Sequence, residues 1–188
     1  GHMLYPPTTL VQIENTHNRM GGVIFPQPEI VSICQSAYGR NIASFLDGAR
    51  LWNVSVASGV PLTELAAPFD LVSVALSKGL GAPAGSLLAG TKEVITRAIR
   101  ARRMLGGAMR QVGILAAAGL YALDHHIERL ADDHANARHM AERLAQSSRI
   151  LIDLESVQTN ILIFRLAPDA PDEAAFVARA KEHGVLIF

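Results

Sequence analysis

Between Asp70 and Ser77 the chain reads DLVSVALS, with Leu71, Val72, Val74, Ala75 and Leu76 leaving no polar face. A strand apolar on both faces is what a parallel sheet covered by helices on both sides requires. The run closes on Ser77-Lys78 and then on glycines at 79, 81 and 85. A buried strand therefore delivers one lysine to a stretch of backbone that other groups can approach closely. The segments before it fit the same class. Leu10 to Glu14 reads as a strand, and a helix starts at Pro28 with Ile30, Ile33, Cys34 and Ala37 on its apolar side. Ile42 to Leu46 reads as the next strand, followed by helices near Ala49–Ala57 and Pro61–Ala67. Strand, helix, strand, helix, strand predicts a doubly wound α/β layer. Ser86 to Ala89 follows after a short Gly/Pro loop, which predicts a strand returning antiparallel.

Beyond Thr91, a good helix N-cap, the texture is mainly helical. One helix should end at Leu105 before Gly106-Gly107, and Gln111 to Ala145 should hold more than one. Ile150–Leu154 and Asn160–Leu166 read as strands, Pro171–His183 as a helix, and Val185–Phe188 as a last strand. The expected organisation is a partial large domain over residues 4–120, with a mainly parallel sheet. Connecting helices and part of a small α+β domain follow over residues 121–188. Residues 1–3, Gly-His-Met, read as the remnant of a cleaved tag.

Composition narrows the partners. Lys plus Arg and Asp plus Glu both number 17, so the chain carries no formal charge to recruit nucleic acid or an anionic membrane. No apolar run is long enough to span a bilayer. The one cysteine, Cys34, excludes an intrachain disulfide and fits a reducing compartment, so a cytoplasmic protein with a small-molecule partner is expected. His125 and His126 are adjacent, and His134 and His139 are spaced unlike helical ligand pairs. No metal site is expected, and these histidines read as solvated.

In open α/β sheets ligands sit beyond the carboxyl ends of the strands. Asn15, Thr16, His17 and Arg19 stand there after the first strand, Asp47 and Arg50 after the second, Ser77 and Lys78 after the third. Taken singly, each has a plainer role: Asp47 as a helix cap, Arg50 and Lys78 as surface charges, His17 as a loop hydrogen-bonder. Taken together, a lysine beside an aspartate and an arginine from the neighbouring strand has the parts to hold pyridoxal phosphate. That cofactor needs a lysine for a Schiff base and a partner for its pyridinium nitrogen.

The stretches IENTHNRMGG, FLDGARLWN, VALSKGLGAPAGSLLAG, RRMLGGAMRQVGILAAAGLYAL and DDHANARHMAERLA, in this order, resemble the bacterial low-specificity L-threonine aldolases. The likeness runs from about Pro7 to Val185. It implies the fold of the aspartate-aminotransferase-like (fold type I) pyridoxal-phosphate enzymes and cytoplasmic homodimers or homotetramers. It also implies retro-aldol cleavage of L-threonine, L-allo-threonine and other β-hydroxy amino acids to glycine and an aldehyde. Lys78 would form the Schiff base and Asp47 would pair with the pyridine nitrogen. Arg50 would contribute to the cofactor site and hold the substrate carboxylate, with His17 lining the substrate side. Arg110 would serve the cofactor phosphate near a subunit interface. Chains of that family extend further at both ends, so the resemblance also implies a fragment with weak or no activity alone. Asp, Arg and Lys at strand ends suit other β-eliminating lyases equally, and a non-catalytic oligomerising remnant stays open. The ENTHNR and MLGGAMRQ stretches favour the aldolase.

Overall fold

A computed structural model describes residues 6–187. The tag remnant expected at residues 1–3 and the end of the expected last strand, Phe188, lie outside the described residues. The first half alternates as expected: β1 (Leu10–Glu14), α1 (Gln27–Tyr38), β2 (Ala43–Gly48), α2 (Leu51–Ser58), α3 (Leu62–Ala66), β3 (Leu71–Ala75) and β4 (Ser86–Gly90). The sheet runs β1-β2-β3-β4, with the first two pairings parallel and the last antiparallel. The architecture is α/β with a mixed sheet, and β4 returns as its short loop requires.

The doubly wound expectation needs one correction. Helices do not cover both faces of β3. Ile13, Leu46 and Val72 stand in one row of the sheet and share a face. That face packs on Ile30 and Cys34 of α1, on Leu51 and Val54 of α2 and on Leu65 of α3. On the opposite face, Glu14, Phe45, Asp47, Leu71, Ser73 and Ala75 are only partly buried, and Gln12, Ala43 and Leu88 are exposed. The cause is strand order. Each crossover steps the same way, from β1 to β2 to β3, and right-handed crossovers that never reverse put their helices on one side.

Four helices follow in the second half: α4 (Lys92–Met104), α5 (Gly113–His125), α6 (Leu130–Leu144) and α7 (Glu173–Glu182). Thr91 Oγ1 accepts from Val94 N at 3.4 Å and Asp172 Oδ1 from Ala175 N at 2.9 Å, so α4 and α7 start on side-chain caps. Trp52, Leu76, Leu80, Ala82, Ala122 and Leu130 form the core that joins α5 and α6 to the end of β3. No described helix is long and apolar enough to cross a membrane.

The strands expected at Ile150–Leu154 and Asn160–Leu166 shrink to two-residue segments, β5 (Ile150–Leu151) and β6 (Arg165–Leu166). Side chains between them direct the segment elsewhere. Asp153 Oδ1 accepts from Glu155 N at 3.0 Å and starts a tight turn. Gln158 and Thr159 then bond across to the loop after β1: Ile24 N donates to Gln158 Oε1 at 2.9 Å, and Thr159 Oγ1 donates to Gly22 O at 2.7 Å. Val185–Ile187 is likewise not a strand.

Cys34 sits on the buried side of α1, and burial pushes its thiol above the ordinary range. At about pH 8 a chromogenic disulfide reagent should find no reactive thiol in the folded chain and one equivalent after denaturation. Full reaction before unfolding would contradict the packing of α1 on β1.

Candidate active site

The parallel register aligns Glu14, Asp47 and Ser73 in one row at the carboxyl end of the sheet. Side chains in such a row share a face, here the half-open one. Asp47 is the fifth residue of β2 rather than the residue after it. Its position is tied on both sides: its carbonyl accepts from Asn15 N at 3.1 Å, and its Oδ1 accepts from Ala49 N at 3.1 Å. Gly48 follows because nothing larger fits. A Cβ there would lie 2.8 Å from the Ser73 carbonyl oxygen. The chain then turns through Arg50 into α2.

Arg50 is half-buried and donates from Nη2 to Asn18 Oδ1 at 2.8 Å. Among the described residues it has no carboxylate partner, which leaves the guanidinium able to take an anion. Asn18 N in turn donates to Glu14 Oε1 at 3.1 Å, and His17 Nε2 lies 3.4 Å from Glu14 Oε2. Arg50 and His17 are thus linked through Asn18 and Glu14, two residues the strand-end reading passed over, and Glu14 stands beside Asp47 in the sheet.

The loop after β1 divides its labour. Asn15 is buried and spent on structure, accepting from Phe25 N at 3.1 Å and donating to Phe25 O at 3.5 Å. Thr16 Oγ1 and His17 Nδ1 are buried with no protein partner. Buried polar atoms ordinarily find partners, so two orphans in the loop beside Arg50 fit a bound polar group. Arg19 is exposed.

Lys78 lies three residues past β3, exposed, and among the described residues its amine makes no ion pair or hydrogen bond. Adjacent strands lie about 4.8 Å apart, so the ends of β2 and β3 open onto one small volume. The surrounding glycines are required for different reasons. Gly81 and Gly85 have φ of 69° and 120°, which side chains resist. Gly79 is needed for space: a Cβ there would lie 2.7 Å from Leu130 Cδ2 and 3.6 Å from Asn53 Oδ1. Arg110 is exposed in the connection between α4 and α5 and makes no hydrogen bond or ion pair with Asp47, Arg50, His17 or Lys78. Four of the five expected site residues gather at the sheet's carboxyl end, and Arg110 does not join them. A larger groove of about 830 Å³, lined by Leu162, Phe164, Phe176, Val177 and Leu186, is apolar and carries none of this chemistry.

Two histidines overturn the solvated reading. His126 Nδ1 lies 2.6 Å from Leu80 O, and His134 Nε2 lies 3.1 Å from Asn53 Nδ2. His125 and His139 are exposed as expected. Asn53 Nδ2 can only donate, so His134 Nε2 must be the unprotonated nitrogen. Burial pulls the His134 imidazole below its ordinary value, with Asp133 opposing. The sign follows: the unfolded chain binds this proton more readily than the folded one. Stability is therefore complete above the unfolded value of about 6.5 and is lost as pH falls through the lower folded value. His134→Gln, which keeps an acceptor without the titration, should flatten the fall of Tm between about pH 7 and pH 5. An unchanged slope would place that pH dependence elsewhere. Gly79→Ala should cost roughly 1–3 kcal/mol in denaturant unfolding, because buried Leu130 must give way.

This geometry can be set beside known proteins. The low-specificity L-threonine aldolase of Escherichia coli K12 is 43% identical over 180 residues, covering 96% of this chain and 52% of its own. Low-specificity L-threonine aldolase 1 of Arabidopsis thaliana is 38% identical over 100% of this chain and 52% of its own. The chain spans about half the length of the curated relatives it matches. A solved structure from Listeria monocytogenes EGD-E, proposed to be an L-allo-threonine aldolase, superposes with a TM-score of 0.84 at 28% identity. The match covers 99% of this chain and 52% of that one. A PLP-dependent aminotransferase from Streptococcus suis 89-1591, at TM-score 0.69 and 18% identity, shares the fold over 98% of this chain and 49% of its own. The fold is thus part of a fold type I domain. With residues 1–167 matched by the family described as beta-eliminating lyase, the chain belongs to the beta-eliminating lyase family.

Proposed function

We propose that this chain carries the cofactor-anchoring half of a pyridoxal-phosphate lyase. Its reaction is the retro-aldol cleavage of L-threonine, L-allo-threonine and related β-hydroxy amino acids to glycine and an aldehyde. One observation carries the reading: Asp47 on β2 and Lys78 just past the neighbouring β3 stand at the same end of a parallel sheet, the lysine unpaired. The similarity to threonine aldolases in two kingdoms supports the substrate class. When bound, the cofactor supplies an electron sink for the pair released as the Cα–Cβ bond breaks.

The chain's own groups do the rest. Lys78 offers a primary amine that, among the described residues, has no competing carboxylate. Asp47, half-buried, holds a proton on a ring nitrogen by charge. Its Oδ1 is already oriented by Ala49 N, which fixes where the other oxygen points. Arg50 takes the substrate carboxylate, where a planar fork gives two parallel bonds. His17, held against Glu14, would line the substrate side. Thr16 Oγ1 and His17 Nδ1 are polar atoms that a bound group can satisfy. Arg110, exposed and bonded to none of the other four, would serve the cofactor phosphate near a subunit interface. Met104, Leu105, Met109 and Ile114 are exposed around it, which supports homodimer or homotetramer contacts on that surface.

Incubation with pyridoxal phosphate, borohydride reduction and peptide mapping test the assignment. Label should fall on Lys78, and Lys78→Ala should abolish it. Asp47→Ala should leave Lys78 in place but weaken cofactor binding by roughly tenfold or more, the loss of a charge-assisted contact. Label spread over Lys92 and Lys181 with Lys78 spared would refute the proposal.

A further inference from the structure

We infer that His126 is a positioning residue for Lys78, acting through the loop that follows the lysine; the inference rests on the reading of Lys78 as the cofactor's anchor. The loop from Leu76 to Gly85 holds its own shape: Leu76 N donates to Gly85 O at 3.0 Å, Ala82 N to Leu76 O at 3.0 Å, and Gly81 N to Lys78 O at 2.9 Å. None of these bonds says where the loop sits on the rest of the protein. Its contacts with α2, α5 and α6 do. Leu80, 1% exposed, plugs into the core with Trp52, Ala122 and Leu130. Gly79 lies so close to Leu130 that no side chain fits. His126, at the end of α5, meets Leu80 O at 2.6 Å.

The histidine contact is the polar one, and its direction is fixed. A carbonyl oxygen only accepts, so Nδ1 carries the proton and donates. It is also the one side-chain hydrogen bond made to residues 76–85 from another element, among the described residues. Beside it is a cavity of about 160 Å³ lined by Gly79, Leu80, Gly81, His126, Arg129 and Asp133. The loop is therefore not packed solid there. Glycines have no side chains with which to fill the space or resist movement. The His126 bond stands in for packing. It holds the carbonyl two residues past Lys78, and so the direction from which the lysine side chain leaves the backbone.

His126→Leu removes the donor and keeps an apolar side chain, whereas His126→Asn keeps a donor near the position of Nδ1. His125→Leu, at the exposed neighbour, is the control. In the 188-residue chain two quantities are read: the pyridoxal-phosphate concentration giving half-maximal borohydride-trapped label on Lys78, and cofactor-free amide exchange at Leu80, Gly81 and Ala82. His126→Leu should raise that concentration roughly two- to tenfold, the span of one neutral hydrogen bond. It should also speed exchange at the three amides, while α1 and β1 amides stay as protected as before. His126→Asn should restore both, and His125→Leu should change neither. Label and exchange unchanged in His126→Leu overturn the inference. So does an Asn variant as impaired as a folded Leu variant, or as impaired as wild type is not when the Leu variant fails to fold. Absence of label on Lys78 in the unsubstituted chain overturns the anchor reading and this inference with it, whereas normal label with an insensitive His126 overturns the inference alone.

Discussion

The parallel register of β1, β2 and β3 is the constraint on which the rest depends. It puts Glu14, Asp47 and Ser73 in one row. It also brings the turns that follow each strand to a common edge, so groups far apart in the chain meet without any long-range guidance of their own. Crossovers that all step the same way pile the first three helices on one face. That face is apolar and closed by Ile13, Leu46, Val54, Leu65 and Val72. The other face keeps Glu14, Asp47 and Ser73 partly open. One face of the sheet therefore supplies stability and the other supplies ionisable groups. A carboxylate such as Asp47 does not have to be stripped of water to stand at the end of a well-packed strand.

Side-chain hydrogen bonds then fix what the sheet leaves loose. Ser44 and Asp70 bond reciprocally: Ser44 N and Oγ donate to Asp70 Oδ2 at 2.8 and 3.0 Å, and Asp70 N donates to Ser44 Oγ at 3.1 Å. This sets where β3 begins against β2. Asn15 closes the loop after β1 onto Phe25. Thr159 and Gln158 reach the same loop from the far end of the chain. Gly22, with φ of 71°, makes room: a Cβ there would lie 2.5 Å from Thr159 Oγ1. Movement of the segment around β5 and β6 is thereby coupled to the loop bearing Thr16 and His17, with no apolar interface between them needed.

Much of this was legible in the amino-acid sequence because it is local. Period-two and period-three-to-four apolar patterns located β1 to β4 and the helices within a few residues. The Lys78 glycine loop, Asp47 and Arg50 stood out because strand ends in α/β sheets are where chemistry collects. What escaped was non-local. Nothing near His126 announces that its partner is the Leu80 carbonyl, and nothing near His134 announces Asn53. Helical spacing tests for ligand pairs, so histidines bonded to other elements read as solvated. The shortening of two expected strands has the same cause. Ile150–Leu154 and Asn160–Leu166 have the composition of strands, but Asp153 turns the backbone and Thr159 directs it to Gly22. Helix cover on both faces of β3 failed for another reason: a run apolar on both faces reports burial tendency, whereas strand order decides where helices go.

The two bonded histidines present different nitrogens to their partners, His126 its protonated Nδ1 and His134 its bare Nε2, and the difference follows from those partners. Leu80 offers a carbonyl, so His126 must donate from Nδ1. Asn53 offers an N–H, so His134 must accept at Nε2, and protonation there sets donor against donor. Both contacts brace the backbone just after Lys78, His126 directly and His134 through Asn53, which lies against Gly79. Acidification therefore weakens the His134 brace. The polar support of the lysine loop is divided between a histidine that donates to Leu80 and one that accepts from Asn53, and a falling pH acts on it from the Asn53 side.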